Sequence, residues 1–108
     1  MYKKELSEIK IEANIRGVDS RVLVDHENAI IKELILKPYQ EIPIHKVPVD
    51  VTFFVLRGTG KIRVGKDTYD VKEHSIVVCP KNTEMSVEAN GNLFSFLNIK
   101  TPAFKPKK

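Results

Sequence analysis

Side chains able to do chemistry are sparse in this 108-residue chain. The imidazoles are His26, His45 and His74, and the lone thiol is Cys79. A bound transition metal needs several imidazole, carboxylate or thiolate donors converging on one point, at roughly 2.0–2.2 Å for nitrogen and oxygen. Neither His26, in a turn, nor His74, in a polar connection, stands at metal-ligand spacing from His45. A single cysteine excludes a CxxC pair and an internal disulfide. No serine occupies a Gly-x-Ser-x-Gly frame. Gly58-Thr59-Gly60 is too short to cradle a phosphate and turns between strands, where no helix N-terminus is available. Glu84 and Glu88 stand at strand spacing and form no paired acid site. His45 remains as the residue to follow. It reads either as a polar group that orients a ligand or moves a proton in an apolar pocket, or as a core or rim histidine satisfied by a backbone carbonyl.

The elements that must position His45 are strands. Val and Ile number 23 against 11 for Leu and Ala together, and β-branched side chains fit a pleated surface better than a helix. After a short helical turn within Tyr2 to Lys10, alternation predicts strands at 9–13, 21–24, 29–36, from Ile42 through Ile44 into Val47, and at 51–56, 61–64, 68–71, 76–79, 85–89 and 93–99. Glycine, proline and Asx residues punctuate them about every 8–12 residues, the rhythm of a sandwich or barrel. Gly58 and Gly60 are assigned the positive-φ positions of one reversal, and Asn82 a left-handed turn after Pro80. The expectation is an all-β single domain over residues 8–101, with an N-terminal arm at 1–7 and a C-terminal tail at 102–108. His45 and Val47 share a strand face, so an inward Val47 implies an inward His45.

Charge adds little at this level. The chain carries 18 basic and 14 acidic residues, net +4. Three of the positive charges, Lys105, Lys107 and Lys108, lie in the last four residues, and without them the balance is 15 to 14. A nucleic-acid binder needs positive charge gathered along a folded face, so no nucleic-acid partner is expected. No apolar run reaches the roughly 20 residues that span a bilayer, and Met1 to Leu6 leads into no apolar signal core. A cytoplasmic protein without a membrane partner is the expectation.

The stretch from Tyr39 to Ala89 resembles the two-motif core of the cupin family. The family's first motif runs Gly, five residues, His-x-His, three or four residues, Glu, six residues, Gly. Anchored on Gly58, it sets Val51 at the Glu and His45-Lys46-Val47 at His-x-His. The second motif runs Gly, five residues, Pro-x-Gly, two residues, His, three residues, Asn. Anchored on Pro80, it sets His74 and Asn82 at the glycines, Met85 at the His and Ala89 at the Asn. The resemblance implies a jelly-roll β-barrel or sandwich, commonly dimeric, with a central ligand pocket.

Metal-binding members of that family hold one divalent ion on the His pair, the Glu and the second-motif His. Only His45 matches here; Val47 and Val51 carry no donor atom and Met85 offers a thioether. The resemblance therefore implies a lost metal site and no cofactor, with apolar side chains in its place. His45, Met85 and Cys79 are, alternatively, a soft set suited to Cu(I). The expected ligand-binding residues are His45, Val47, Val51, Phe53 and Met85, with His45 the main polar group, and the expected partner is a small organic molecule. Arg57, Arg63 and Tyr69 are candidates for an anion-binding edge. Two rival functions stand beside ligand binding: a metal-independent isomerase, epimerase or lyase with His45 as general base, and a structural or regulatory dimer with a filled pocket. A homodimer is expected, since a small barrel has a high surface-to-volume ratio.

Overall fold

The computed structural model describes residues 3–14 and 16–105; Tyr2, and the tail cations Lys107 and Lys108, lie outside these. Ten strands account for the regular structure: β1 Glu12–Ala13, β2 Asp19–His26, β3 Ala29–Leu36, β4 Glu41–His45, β5 Asp50–Arg57, β6 Gly60–Val64, β7 Asp67–Val71, β8 Ile76–Cys79, β9 Met85–Ala89 and β10 Phe94–Thr101. They form two antiparallel sheets. One has six strands in the order β1-β2-β3-β10-β5-β8, the other four in the order β4-β9-β6-β7. The molecule is all-β with two packed sheets, as the strand rhythm implies, and has the jelly-roll form that the resemblance implies.

The two-residue period of each strand sends one set of side chains between the sheets. Leu36, Val51, Val55, Ile62, Phe94 and Phe96 are fully buried there. The rings of Phe53 and Phe96 tilt against each other with centroids 5.6 Å apart, and those of Phe94 and Phe96 with centroids 5.3 Å apart. Gly60 serves this core rather than the reversal. Positive φ belongs to Gly58 (82°), while a Cβ on Gly60 would meet the Phe94 ring at 2.7 Å.

Two ends depart from expectation. The strand expected over 9–13 shortens to Glu12–Ala13, behind a 3-10 turn at Leu6–Glu8. The Ile9 carbonyl accepts from Arg21 Nε at 2.9 Å instead of from a ladder amide. Arg21 also pairs with the buried Glu33 at 2.7 Å, on the face of the six-stranded sheet turned away from the core. At the other end β10 continues past Ile99, because Lys100 and Thr101 stay in register with Val51 and Asp50 of β5. Beyond it Phe104 packs on the core and Lys105 pairs with Asp25 at 2.9 Å. Residues 102–105 thus belong to the folded body, where a tail was expected.

Candidate functional site

A cavity of about 680 Å³ opens between the sheets. Its apolar wall is Leu34 of β3, Ile42 of β4, Val47, Phe53 of β5 and Val87 of β9. Its polar lining is Asn14, Arg16, Lys32, His45, Asn98, Lys100 and Lys105. The volume falls in the range of small-molecule pockets, and the lining joins an apolar wall to seven polar side chains.

The cations arrive from separate elements. Asn14 Oδ1 accepts the backbone N–H groups of Arg16 at 2.8 Å and Val18 at 3.1 Å, and Gly17 at φ 74° completes this Asx turn, which sets Arg16 at the cavity. Lys32 is the register partner of Asn98 across β3 and β10, and Asn98 is the partner of Phe53 across β10 and β5. Lys100 is two residues along β10 from Asn98, on the same face, and its Nζ donates to Asn98 Oδ1 at 3.0 Å. Burial pushes the Lys100 ammonium down to about 8, and Lys32 and Arg16 beside it act in the same direction.

His45 follows from a proline. Pro43 has no N–H to give to the ladder, and the pairing of β4 with β9 shifts register between Ile42 and His45. The Pro43 carbonyl lies 2.9 Å from His45 Nδ1. Burial lowers the imidazole's pKa below its ordinary 6.5, against the opposing effect of that hydrogen bond. In a neutral ring, Nδ1–H donating to Pro43 leaves Nε2 as the lone-pair nitrogen.

The cupin motifs can be followed onto the backbone. The first motif's opening glycine falls six positions ahead of His45, on Tyr39, at φ 63°. The other three glycine positions are Gly58 at 82°, His74 at 71° and Asn82 at 59°. All four are left-handed although only one is glycine. The His74 ring stacks on Phe54, with centroids 5.8 Å apart and an angle of 9° between the planes.

Of the five expected ligand-binding residues, His45, Val47 and Phe53 line the cavity together. Val51 and Met85 are fully buried in the core instead, with Met85 the register partner of His45. The expectation that His45 would be the main polar group gives way to a cluster of cations. Arg57, Arg63 and Tyr69 line no part of the cavity, and Arg63 Nε is bound to the Gly65 carbonyl at 2.9 Å. The missed residues were legible in part: Asn98 and Lys100 share the parity of Phe94 and Phe96, and Lys32 that of Ile30 and Leu34.

The metal implied by the cupin motifs does not fit this lining. Among the described residues no three His, Cys, Asp or Glu side chains come together as a donor set. The Cys79 thiol is buried, its pKa raised by burial, and it faces the Thr83 carbonyl at 3.5 Å. Cations at His45's side oppose a divalent ion further.

Among the described residues no helix is long and apolar enough to cross a membrane. No family model and no curated protein matches the chain. Solved structures do. The chain is similar to a conserved protein of unknown function from Streptococcus pyogenes, 27% identical with TM-score 0.71 over 88% of this chain and 80% of that one. It is similar to a predicted oxalate decarboxylase from Thermotoga maritima, 22% identical with TM-score 0.82 over 92% and 97%. An RmlC-like cupin from Shewanella frigidimarina superimposes at TM-score 0.88 over 97% and 94%, with 11% identity. Topology, left-handed motif positions and these likenesses agree: the chain has the cupin fold.

Proposed function

We propose that this barrel binds a small organic ligand in the cavity between its sheets, without a metal. The observation that supports it is the cavity itself, about 680 Å³ with an apolar wall and a single imidazole. An open cavity argues against a purely structural module with a filled interior. General-base catalysis by His45 has less support. An acidic or tyrosine partner would orient and tune the imidazole, and among the described residues none lines the cavity. The proposal includes a homodimer and a cytoplasmic location.

N-Phenylnaphthylamine, an uncharged dye that fluoresces in apolar surroundings, tests the reading. It should bind at about one dye per chain, and Val87→Trp should abolish binding while the protein stays folded by circular dichroism. Dye binding that survives Val87→Trp unchanged, or no dye binding by the wild type, removes the cavity as the site.

A further inference from the structure

We propose that the cavity takes an organic carboxylate, its head group held by Arg16, Lys32 and Lys100 and its carbon body lying on Ile42, Phe53 and Val87. The inference rests on the barrel being a ligand-binding site and names the class of ligand.

The charge balance of the lining carries it. Four cations and, among the described residues, no Asp or Glu line the cavity. Lys105 is neutralised by Asp25 at 2.9 Å. Arg16, Lys32 and Lys100 have no ion pair among the described residues. Like charges gathered in partly desolvated surroundings are unfavourable unless something compensates them. An entering anion does so, and the free energy released appears as affinity.

The geometry selects the kind of anion. Asn98 Oδ1 occupies one of the three Lys100 ammonium donors, leaving two for a ligand. An arginine fork and ammonium donors together match the oxygens of a carboxylate. The apolar part of the lining, Leu34, Ile42, Val47, Phe53 and Val87, has no side-chain donors to satisfy a fully polar ion, so the rest of the ligand is apolar. His45, held neutral by burial, adds no charge; its Nε2 accepts from a hydroxyl or N–H on the carbon body.

Proton uptake accompanies binding. The charged groups facing Lys100 are Arg16 from the β1–β2 turn, Lys32 from β3, and the Lys105–Asp25 pair from the C-terminal segment and β2; the titratable His45 from β4 faces it uncharged. An anion among them favours the protonated Lys100 ammonium. At pH 8.5, above its value of about 8, binding must therefore take up protons.

Displacement of N-phenylnaphthylamine by octanoate, octanol and octylammonium is the test. Octanoate should compete about tenfold better than octanol, the factor expected of one net charge-assisted contact, and octylammonium should compete worst. Lys32→Gln and Arg16→Gln should each weaken octanoate about fivefold relative to octanol. Calorimetry at pH 8.5 in two buffers of different ionisation enthalpy should record proton uptake with octanoate and none in Lys100→Met. If octanol competes as well as octanoate while the dye binds the wild type and not Val87→Trp, the ligand-binding reading stands and the carboxylate is wrong. If the dye does not bind at all, both fall.

Discussion

Lys32 and Lys100 stand on neighbouring strands and meet across Asn98, which is the register partner of Lys32 and accepts from Lys100 Nζ at 3.0 Å. Two ammonium groups are thereby held toward one cavity with a single neutral acceptor between them. Such a pairing opposes folding and favours an anion, and its energetic cost can be measured directly.

Lys100→Met should stabilise the protein at pH 7 by ~2 kcal/mol, after allowing for solvent reaching an open cavity. The folded-state value is about 8 and the ordinary one 10.5. Between them the unfolded chain holds more protons than the folded one, so wild-type stability rises with pH through this window. The advantage of Lys100→Met should be full below pH 8 and fade toward pH 10.5. Urea denaturation across pH 7–10.5 checks it; a pH-independent difference would refute the buried-charge account.

His45 should titrate below pH 6.5 and carry its proton on Nδ1 at neutral pH, read by the nitrogen shifts of its ring in NMR. Because its folded-state pKa is depressed, the imidazole's contribution is present above 6.5 and is lost as pH falls through the lower folded value. An Nε2–H tautomer would break the link to Pro43.

Tyr39→Gly should raise stability by about 1 kcal/mol. A tyrosine at φ 63° carries the Cβ penalty of the left-handed region that glycine avoids, and the ring is well exposed, so little packing is lost. Thermal unfolding of the variant reports the sign, and a fall in midpoint would show that the ring's contacts outweigh the backbone strain.

The purified protein should hold no stoichiometric transition metal. Val47→His with Val51→Glu and Met85→His supplies donors beside His45 and should create measurable zinc affinity. Lys100, the register partner of Val51, opposes the ion, so adding Lys100→Met should strengthen it. Elemental analysis showing about one metal per wild-type chain, lost in His45→Ala, overturns this reading.

The homodimer should form through the outer face of the six-stranded sheet. Ile76 and Val78 of its edge strand are 65% and 57% exposed, and Ile76 is the register partner of Phe54. Such an apolar edge asks for cover. Light scattering should give twice the chain mass for the wild type and the chain mass for Val78→Lys; a monomeric wild type across micromolar concentrations refutes it.

Strands were legible because alternation and turn chemistry are local. Ala29–Leu36, Ile76–Cys79 and Met85–Ala89 end where their side-chain pattern ends. The left-handed position at Asn82 was legible for the same reason. Left-handed Tyr39 and His74 carry no such chemical mark, since it is the surrounding fold that holds them there.

The sequence by itself determined the strand order along the chain, the all-β class, the cupin resemblance and the weakness of the metal donor set, all of which depend on residue type and short spacing. Only the tertiary structure decided which side chains line the cavity. Arg16, Lys32 and Lys100 are scattered through a chain whose overall charge suggests no basic face, and the pairing of β3 with β10 brings the two lysines together. Likewise Val51 and Met85, ligand candidates by motif, became core because the sheets close over them. Convergence of distant side chains is a property of register and packing, and no local pattern encodes it.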